Sequence, residues 1–382
     1  MQKLQMVDLH RQYLHIKAEV DAAIQTVIDT TAFINGPDVG AFAGELAQYL
    51  GVKHVIPCAN GTDALQIALM ALDLKPGDEV ITPSFTYIAT VEVVALLGLT
   101  PVFVDVDAET FTMDLESVRT AITPKTKAII PVHLYGQSVD MAPLLKLAAE
   151  HNLPVIEDNA QAIGADYTFP DGRVAKTGAM GTIGCTSFFP SKNLGCYGDG
   201  GAMFTNDDTL AEKLRMIANH GQKVRYYHEI VGCNSRLDSI QAAILRVKLP
   251  HLDGYNDARR AAADAYDAAF SGNKHIQTPV RAPYSTHVFH QYTLKLQGVD
   301  RDAVSAALTE RGIPNMIYYP VPSHKQDMLR QFASADATLP VTDALNKCVL
   351  SLPIHTELSN TEIKLITTTV NEVVAHLAQQ QS

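Results

Sequence analysis

What most constrains this chain is a series of six short, apolar, β-branched segments between about Val52 and Phe204, separated by stretches with helical spacing. The segments are HVIPCA, DEVITPS, PVFVDV, KAIIPVHL, PVIEDN and GCTSFFP. Several are apolar almost throughout, as parallel strands buried on both faces must be. Helical patterns such as Thr62–Leu72, Thr86–Leu97 and Met141–His151 fall between them. The alternation predicts an α/β fold, a mostly parallel sheet with helices on both faces. After about Tyr255 the pattern changes. An Ala- and Arg-rich helix, NDARRAAADAYDAAF, leads through a polar, Pro-marked strip into a smaller α+β segment that ends in a helix near Thr361–Gln379. The expected organisation is a large domain over residues 1–254, N-terminal segment included, and a small C-terminal domain over 255–382.

Bulk properties narrow the function. A formal net charge of -11 argues against nucleic acid and anionic membrane surfaces as partners, while a local basic patch still leaves room for an anionic small molecule. The five cysteines, Cys58, Cys185, Cys196, Cys233 and Cys348, are scattered and form no CxxC pair, so they read as reduced thiols and not as a disulfide frame or metal site. The start MQKLQMVDLHRQYLH lacks a basic-then-apolar signal pattern, and no apolar run reaches membrane-spanning length. A soluble, cytoplasmic protein is expected.

Four motifs carry chemistry. In CANGTDAL a strand end passes through Gly61 into a helix, where free N–H groups and the Thr62 hydroxyl suit an anion; the same residues also make an ordinary capped helix start. In PVIEDNAQ the strand delivers Glu157 and Asp158 to the carboxyl edge of the sheet, where α/β proteins bind ligands, although Asp and Asn there are equally good helix caps. In TSFFPSKNLG a single lysine, Lys192, follows an aromatic strand among glycines; a lysine used as a nucleophile must be partly desolvated or beside a cation to be neutral near pH 7, whereas a loop lysine by itself is usually just exposed. In GCNSRLD, Asn234 and Arg236 suit an anion contact or a plain helix start before SIQAAILRVKL.

Together with PSFTYIAT and IIPVHLYGQ, these segments, in this order, resemble the DegT/DnrJ/EryC1/StrS family of sugar aminotransferases over essentially the whole chain. The resemblance implies the aspartate-aminotransferase-like (type I) fold and pyridoxal 5′-phosphate as cofactor. It implies that Lys192 forms the Schiff base and shuttles the proton, that Asp158 faces the pyridine nitrogen, and that Gln161 lies beside the phenolic oxygen. Gly61, Thr62 and Ser187 match the phosphate cradle. Asn234 matches a residue offered to the same phosphate by a second subunit, which implies a homodimer. Tyr87 falls where relatives stack an aromatic ring on the cofactor, with Phe85 as the fallback. His133 lies near the site without a catalytic step, and the pair Phe188-Phe189 reads as strand core. His220, Cys185 and Cys196 read as packing residues. No metal site is expected.

Three departures stand out: Asn159 where many relatives have a small residue, a longer segment at Asp166–Arg173, and Tyr318 where many have histidine. The wording of the motifs is most similar to members that aminate C3 of a UDP-linked 2-acetamido-3-oxo sugar, including the uronic acid form, with L-glutamate as donor, for bacterial surface polysaccharide. Members acting on dTDP-linked 3-keto or 4-keto sugars, and a non-catalytic cofactor-binding regulator, are the alternatives.

Overall fold

The computed structural model describes residues 3–380; residues 1–2 and 381–382 of the two expected domains lie outside them. Helix α1 (Leu9–Thr30) starts where the Asp8 carboxylate accepts the Arg11 N–H at 2.9 Å, and α2 (Pro37–Leu50) starts with a proline, whose missing N–H costs nothing there. The expected alternation follows: β1 (His54–Cys58), α3 (Gly61–Ala71), β2 (Glu79–Pro83), α4 (Ala89–Leu96), β3 (Thr100–Val104), α5 (Leu115–Ala121), β4 (Thr126–Ile129), α6 (Met141–Glu150) and β5 (Ile156–Asp158). The long segment at 166–173 becomes a hairpin of β6 (Asp166–Thr168) and β7 (Val174–Lys176), with the Arg173 guanidinium 3.9 Å from the Phe169 ring centre. Then come β8 (Ile183–Ser187), β9 (Gly201–Thr205), α7 (Asp208–Ala218), a second hairpin of β10 (Gln222–Val224) and β11 (Tyr227–His228), and α8 (Ser239–Lys248), on which α1 and α2 pack.

The strand order is β1-β9-β8-β5 in one sheet and β4-β2-β3 in another. Parallel bridges Ile129 to Val155 and Val132 to Asp158 join the two across β4 and β5. β9 runs antiparallel to both neighbours, while the other pairs among β8, β5, β4, β2 and β3 are parallel. All strands but β9 therefore point the same way, and the chain leaves β1, β2, β5 and β8 at one edge. This is the aspartate-aminotransferase-like α/β fold expected from the sequence. All six expected strands are present. β9 was not among them.

A second, three-stranded sheet of β12 (Ile276–Gln277), β13 (Tyr292–Leu296) and β14 (Val349–Leu352) has its own core with α9 (Leu252–Phe270), α10 (Arg301–Glu310) and α12 (Asn360–Gln380). Tyr266, Tyr292, Leu294, Leu350 and Val370 are fully buried there. Helix α11 (Pro340–Cys348) leads into β14. α9 serves both cores: Leu252 packs with Phe42 and Phe188, whereas Ala262–Phe270 pack with the second sheet. We propose the division of the two domains near residue 254, at the start of this helix. Among the described residues no helix is long and apolar enough to cross a membrane.

One glycine shows how tightly the sheet holds the site. A Cβ on Gly184, in the middle of β8, would lie 1.9 Å from the carbonyl oxygen of Gly178. Gly184→Ala is expected to destabilise by ~2 kcal/mol or more through overpacking, read as an earlier denaturant midpoint. An unchanged midpoint would mean that the 178–181 turn yields freely.

Candidate active site

Four strand ends build the site. Beyond β1, Asn60 caps α3: its side chain accepts the Asp63 N–H at 2.8 Å, which leaves the N–H groups of Gly61 and Thr62 without acceptors among the described residues. Ser187 closes on this turn. A Cβ on Gly61 would stand 2.7 Å from the Ser187 Cβ, so only glycine lets the two loops meet. Two free N–H groups and two hydroxyls, Thr62 and Ser187, converge on a helix start whose dipole favours an anion.

At the end of β5, Glu157 and Asp158 turn to opposite faces of the sheet. Glu157 is fully buried and accepts N–H groups of Gly178, Met180 and Gly181, together with the His133 imidazole at 2.8 Å. The other ring nitrogen of His133 accepts the Val139 N–H at 3.1 Å, so the proton sits on Nε2. His133 is thus a brace for the strand end. Asp158 is 5% exposed and faces the site. Its Oδ2 accepts the Thr90 hydroxyl at 2.8 Å and its Oδ1 the Ala160 N–H at 3.1 Å. Burial pushes its carboxyl above the usual range, against the hydrogen bonds and the Lys192 ammonium, which pull it down.

Asn159, flagged as a departure, is fully buried behind the strand, where its amide N–H donates to the Thr177 carbonyl at 3.0 Å.

Lys192 lies in the loop after β8, one strand from Asp158, because β5 and β8 pair with Asp158 opposite Cys185. Its side chain is partly exposed, and its amine has no hydrogen-bond partner among the described residues. Burial pulls the amine down to about 8, with the Asp158 charge opposing the shift. An amine titrating near 8 is neutral in about a tenth of molecules at pH 7, against about one in three thousand for an ordinary lysine. A neutral fraction of that size is what a lysine nucleophile requires and what an ordinary exposed lysine lacks. Of the two neighbouring aromatics, Phe188 is core as expected. Phe189 is not: it is 53% exposed, because the chain has already left β8 and turned into the loop.

The front of the site is aromatic. Tyr87 is exposed and its ring centre lies 6.1 Å from that of Tyr319, whereas Phe85 is buried among Phe111, Tyr135 and Tyr319. Phe85 is wall, and only Tyr87 has a free face. Gln161 accepts the Tyr135 N–H at 2.7 Å and donates to the Tyr319 hydroxyl at 3.0 Å. Tyr135 holds a left-handed backbone (φ 58°) ahead of Gly136, where a Cβ would meet the N–H groups of Phe289 and His290 at 2.8 and 2.9 Å. His290 is itself buried, with Nδ1 unpartnered, and burial together with the Lys192 and Arg259 charges holds it far below its usual pKa, hence neutral.

Thr90, Tyr319 and His290 were missed from the sequence. Thr90 stood in view in the PSFTYIAT segment, but the other two come from the second domain, a distant part of the chain. Tyr318, the third departure, stacks edge-on with Tyr319 at 5.8 Å, so its neighbour and not Tyr318 itself contacts Gln161. Asn234 is exposed on a strap whose Ser235 hydroxyl accepts the Ala59 N–H at 3.1 Å; the strap is tied to the Gly61 turn, yet the Asn234 side chain stays free.

Residues 14–371 match the DegT/DnrJ/EryC1/StrS aminotransferase family. The chain belongs to that family. It is 47% identical over 363 residues to the UDP-2-acetamido-2-deoxy-3-oxo-D-glucuronate aminotransferase of Pseudomonas aeruginosa, covering 95% of this chain and 98% of that one. It is also 47% identical over 369 residues to the UDP-N-acetyl-3-dehydro-alpha-D-glucosamine 3-aminotransferase of Acidithiobacillus ferrooxidans, covering 97% of each. The crystal structure of S. venezuelae DesV superposes with a TM-score of 0.93 at 42% identity, covering 98% of this chain and 99% of that one. This family member is an aminotransferase, as its sequence motifs implied.

The opposing influences on Lys192 make a signed prediction. Removing the Asp158 charge removes the one influence that raises the lysine, so Asp158→Asn should drop its apparent pKa further below 8. The pH dependence of labelling Lys192 with an amine-selective reagent in cofactor-free protein, read by mass, measures this. A midpoint that stays put or rises would contradict the geometry.

Proposed function

We propose that this aminotransferase moves an amino group from L-glutamate to C3 of a UDP-linked 2-acetamido-3-oxo sugar, the uronic acid form included, using pyridoxal 5′-phosphate. We place it in a cytoplasmic homodimer with shared active sites, making diamino sugars for bacterial surface polysaccharide such as O-antigen. One observation carries the chemistry: a lysine amine with a lowered pKa and no partner, one strand from a buried carboxylate, beside a turn of unsatisfied N–H groups. The likeness to two aminotransferases named for UDP-linked 3-oxo sugars supports the substrate.

The residues present fit the cofactor. Each Asp158 oxygen accepts only one hydrogen bond, so a lone pair remains for a ring N–H. Gly61, Thr62 and Ser187 leave room and donors for a phosphate, and the Lys192 amine awaits a partner. When bound, the cofactor supplies an aldehyde that carries the amino group and a ring that draws off electrons. Asp158 would hold the cofactor at its ring nitrogen, where a carboxylate favours the protonated, electron-drawing ring. Gln161, its amide fixed by Tyr135 and Tyr319, would hold the phenolic oxygen, and the exposed Tyr87 would pack against the ring. Lys192 Nζ, when free and neutral, would take the α-proton of the donor and later return a proton to the sugar carbon. Asn234, exposed in its own subunit, would serve the phosphate site of its partner subunit.

Lys192→Ala should lose the visible absorbance of the cofactor-loaded protein and all turnover; normal turnover in that variant would overturn the assignment. The sugar is tested by a panel of UDP- and dTDP-linked 3-oxo and 4-keto sugars with glutamate, read by mass. Preference for a dTDP-linked 4-keto sugar would remove the substrate reading and leave the cofactor chemistry intact.

Sharing of sites has its own test. When Lys192→Ala and Asn234→Ala chains are mixed, each mixed dimer has one site with both residues intact. Random pairing should then restore about a quarter of wild-type activity from two nearly inactive parents. No recovery in verified mixed dimers would place Asn234 in its own subunit's site.

A further inference from the structure

We infer that Lys248, with Gln241, is a positioning residue that fixes the loop carrying Lys192. The two lie seven residues apart on α8, two helical turns, so they share a face. Gln241 accepts the Tyr197 N–H at 2.8 Å, and its own N–H reaches back to the Tyr197 carbonyl at 3.4 Å. Two turns on, the Lys248 ammonium donates to the Gly195 carbonyl at 2.5 Å. α8 thus grips the loop at two successive points just beyond Lys192.

The loop needs such a grip because of how it is folded. It leaves β8 at Phe188 and returns there: the Cys196 N–H donates to the Phe188 carbonyl at 2.8 Å, and the Lys192 N–H to that of Phe189, also at 2.8 Å. Inside the turn, a Cβ on Gly195 would stand 2.3 Å from the Pro190 carbonyl oxygen. On the far side the Asn193 amide donates to Asn256 and to the Val288 carbonyl, at 2.7 and 2.9 Å. Gly195 is buried, and among the described residues its carbonyl has no donor but Lys248.

The choice of lysine is informative. Lys248 is 1% exposed and pairs with no carboxylate among the described residues; the Tyr197 ring lies 5.4 Å from its Nζ, with the Cys196 thiol and the Arg259 charge also within its field. Burial pulls its amine down to about 8, a sign of how poorly the helix face suits a cation. A methionine would fill the same space without that desolvation. What the methionine cannot do is hold the Gly195 carbonyl, and with it the register of residues 192–197 against α8. The same helix follows the Asn234–Arg236 strap, so one rigid element fixes both the strap and the lysine loop.

This rests on the assignment of Lys192 as the residue that bonds the cofactor, and the experiment separates the two. Amide hydrogen exchange is measured on the cofactor-free protein, wild type and Lys248→Met, and the visible band of the loaded proteins is titrated with pH. In Lys248→Met, exchange in residues 189–197 should speed up about tenfold or more while β5 and β9 stay as protected as before. The titration midpoint should move, and kcat should fall about tenfold with KM for the donor within about twofold, as for a misplaced reacting group. Lys248→Gln, which keeps an N–H donor, should recover part of each effect and replaces the methionine variant if that one fails to fold. Exchange confined to its wild-type values, or raised evenly across the whole sheet, would overturn the positioning role. A wild-type protein with no visible band after loading would overturn the Lys192 assignment and this inference with it.

Discussion

The pairing of β5 with β8 is the contact on which the site depends. It sets Asp158 opposite Cys185 and brings the chain that follows β8 back over the carboxylate. Parallel strands with burial on both faces are held in register by their side chains, since a one-residue slip would send Glu157 to the site and Asp158 into the core. That slip is blocked on the core side. Glu157 is a buried carboxyl group held by three backbone N–H groups and an imidazole, whereas Asp158 meets Thr90 and Ala160. Pairing of this completeness is what makes a buried carboxylate tolerable. Here it also fixes which of two adjacent acids faces the site.

The same pairing explains how one amine can be both near a carboxylate and partly neutral. A carboxylate alone would raise Lys192; burial alone would lower it. Burial outweighs the Asp158 charge, and the amine settles near 8. A salt-bridged lysine would be held charged and occupied. One strand of separation leaves it within the field of the acid yet without a partner.

Sequence reasoning reached the elements whose signal is local. Strands buried on both faces announce themselves as apolar runs, and strand ends followed by Gly61, Asp158 or Lys192 place those residues at the carboxyl edge. β9 escaped because GGAMFT is short and glycine-led, and its antiparallel direction has no local signature. Phe189 was assigned to the core because periodicity does not say where a strand stops. The site residues from the second domain were illegible for another reason. Tyr319 meets Gln161 across 158 residues of chain, and His290 sits against Gly136 only because Tyr135 and Gly136 turn through left-handed conformations. Contacts of that kind are made by the fold and not by any window of sequence.

This division of labour bears on specificity. Apart from Asn234, the groups proposed for the cofactor follow the ends of neighbouring strands, so strand register places them. Tyr319, Tyr318 and His290 come from connections in the second domain, outside its strands and helices, and reach the site over Tyr135, Gln161 and Tyr87. Loops carried on a rigid frame can vary without cost to the sheet. Strand register thus places Asp158 and the Lys192 loop, whereas the aromatic front is completed by Tyr318 and Tyr319, far along the chain. Side chains in those connections can change while the sheet edge keeps its register.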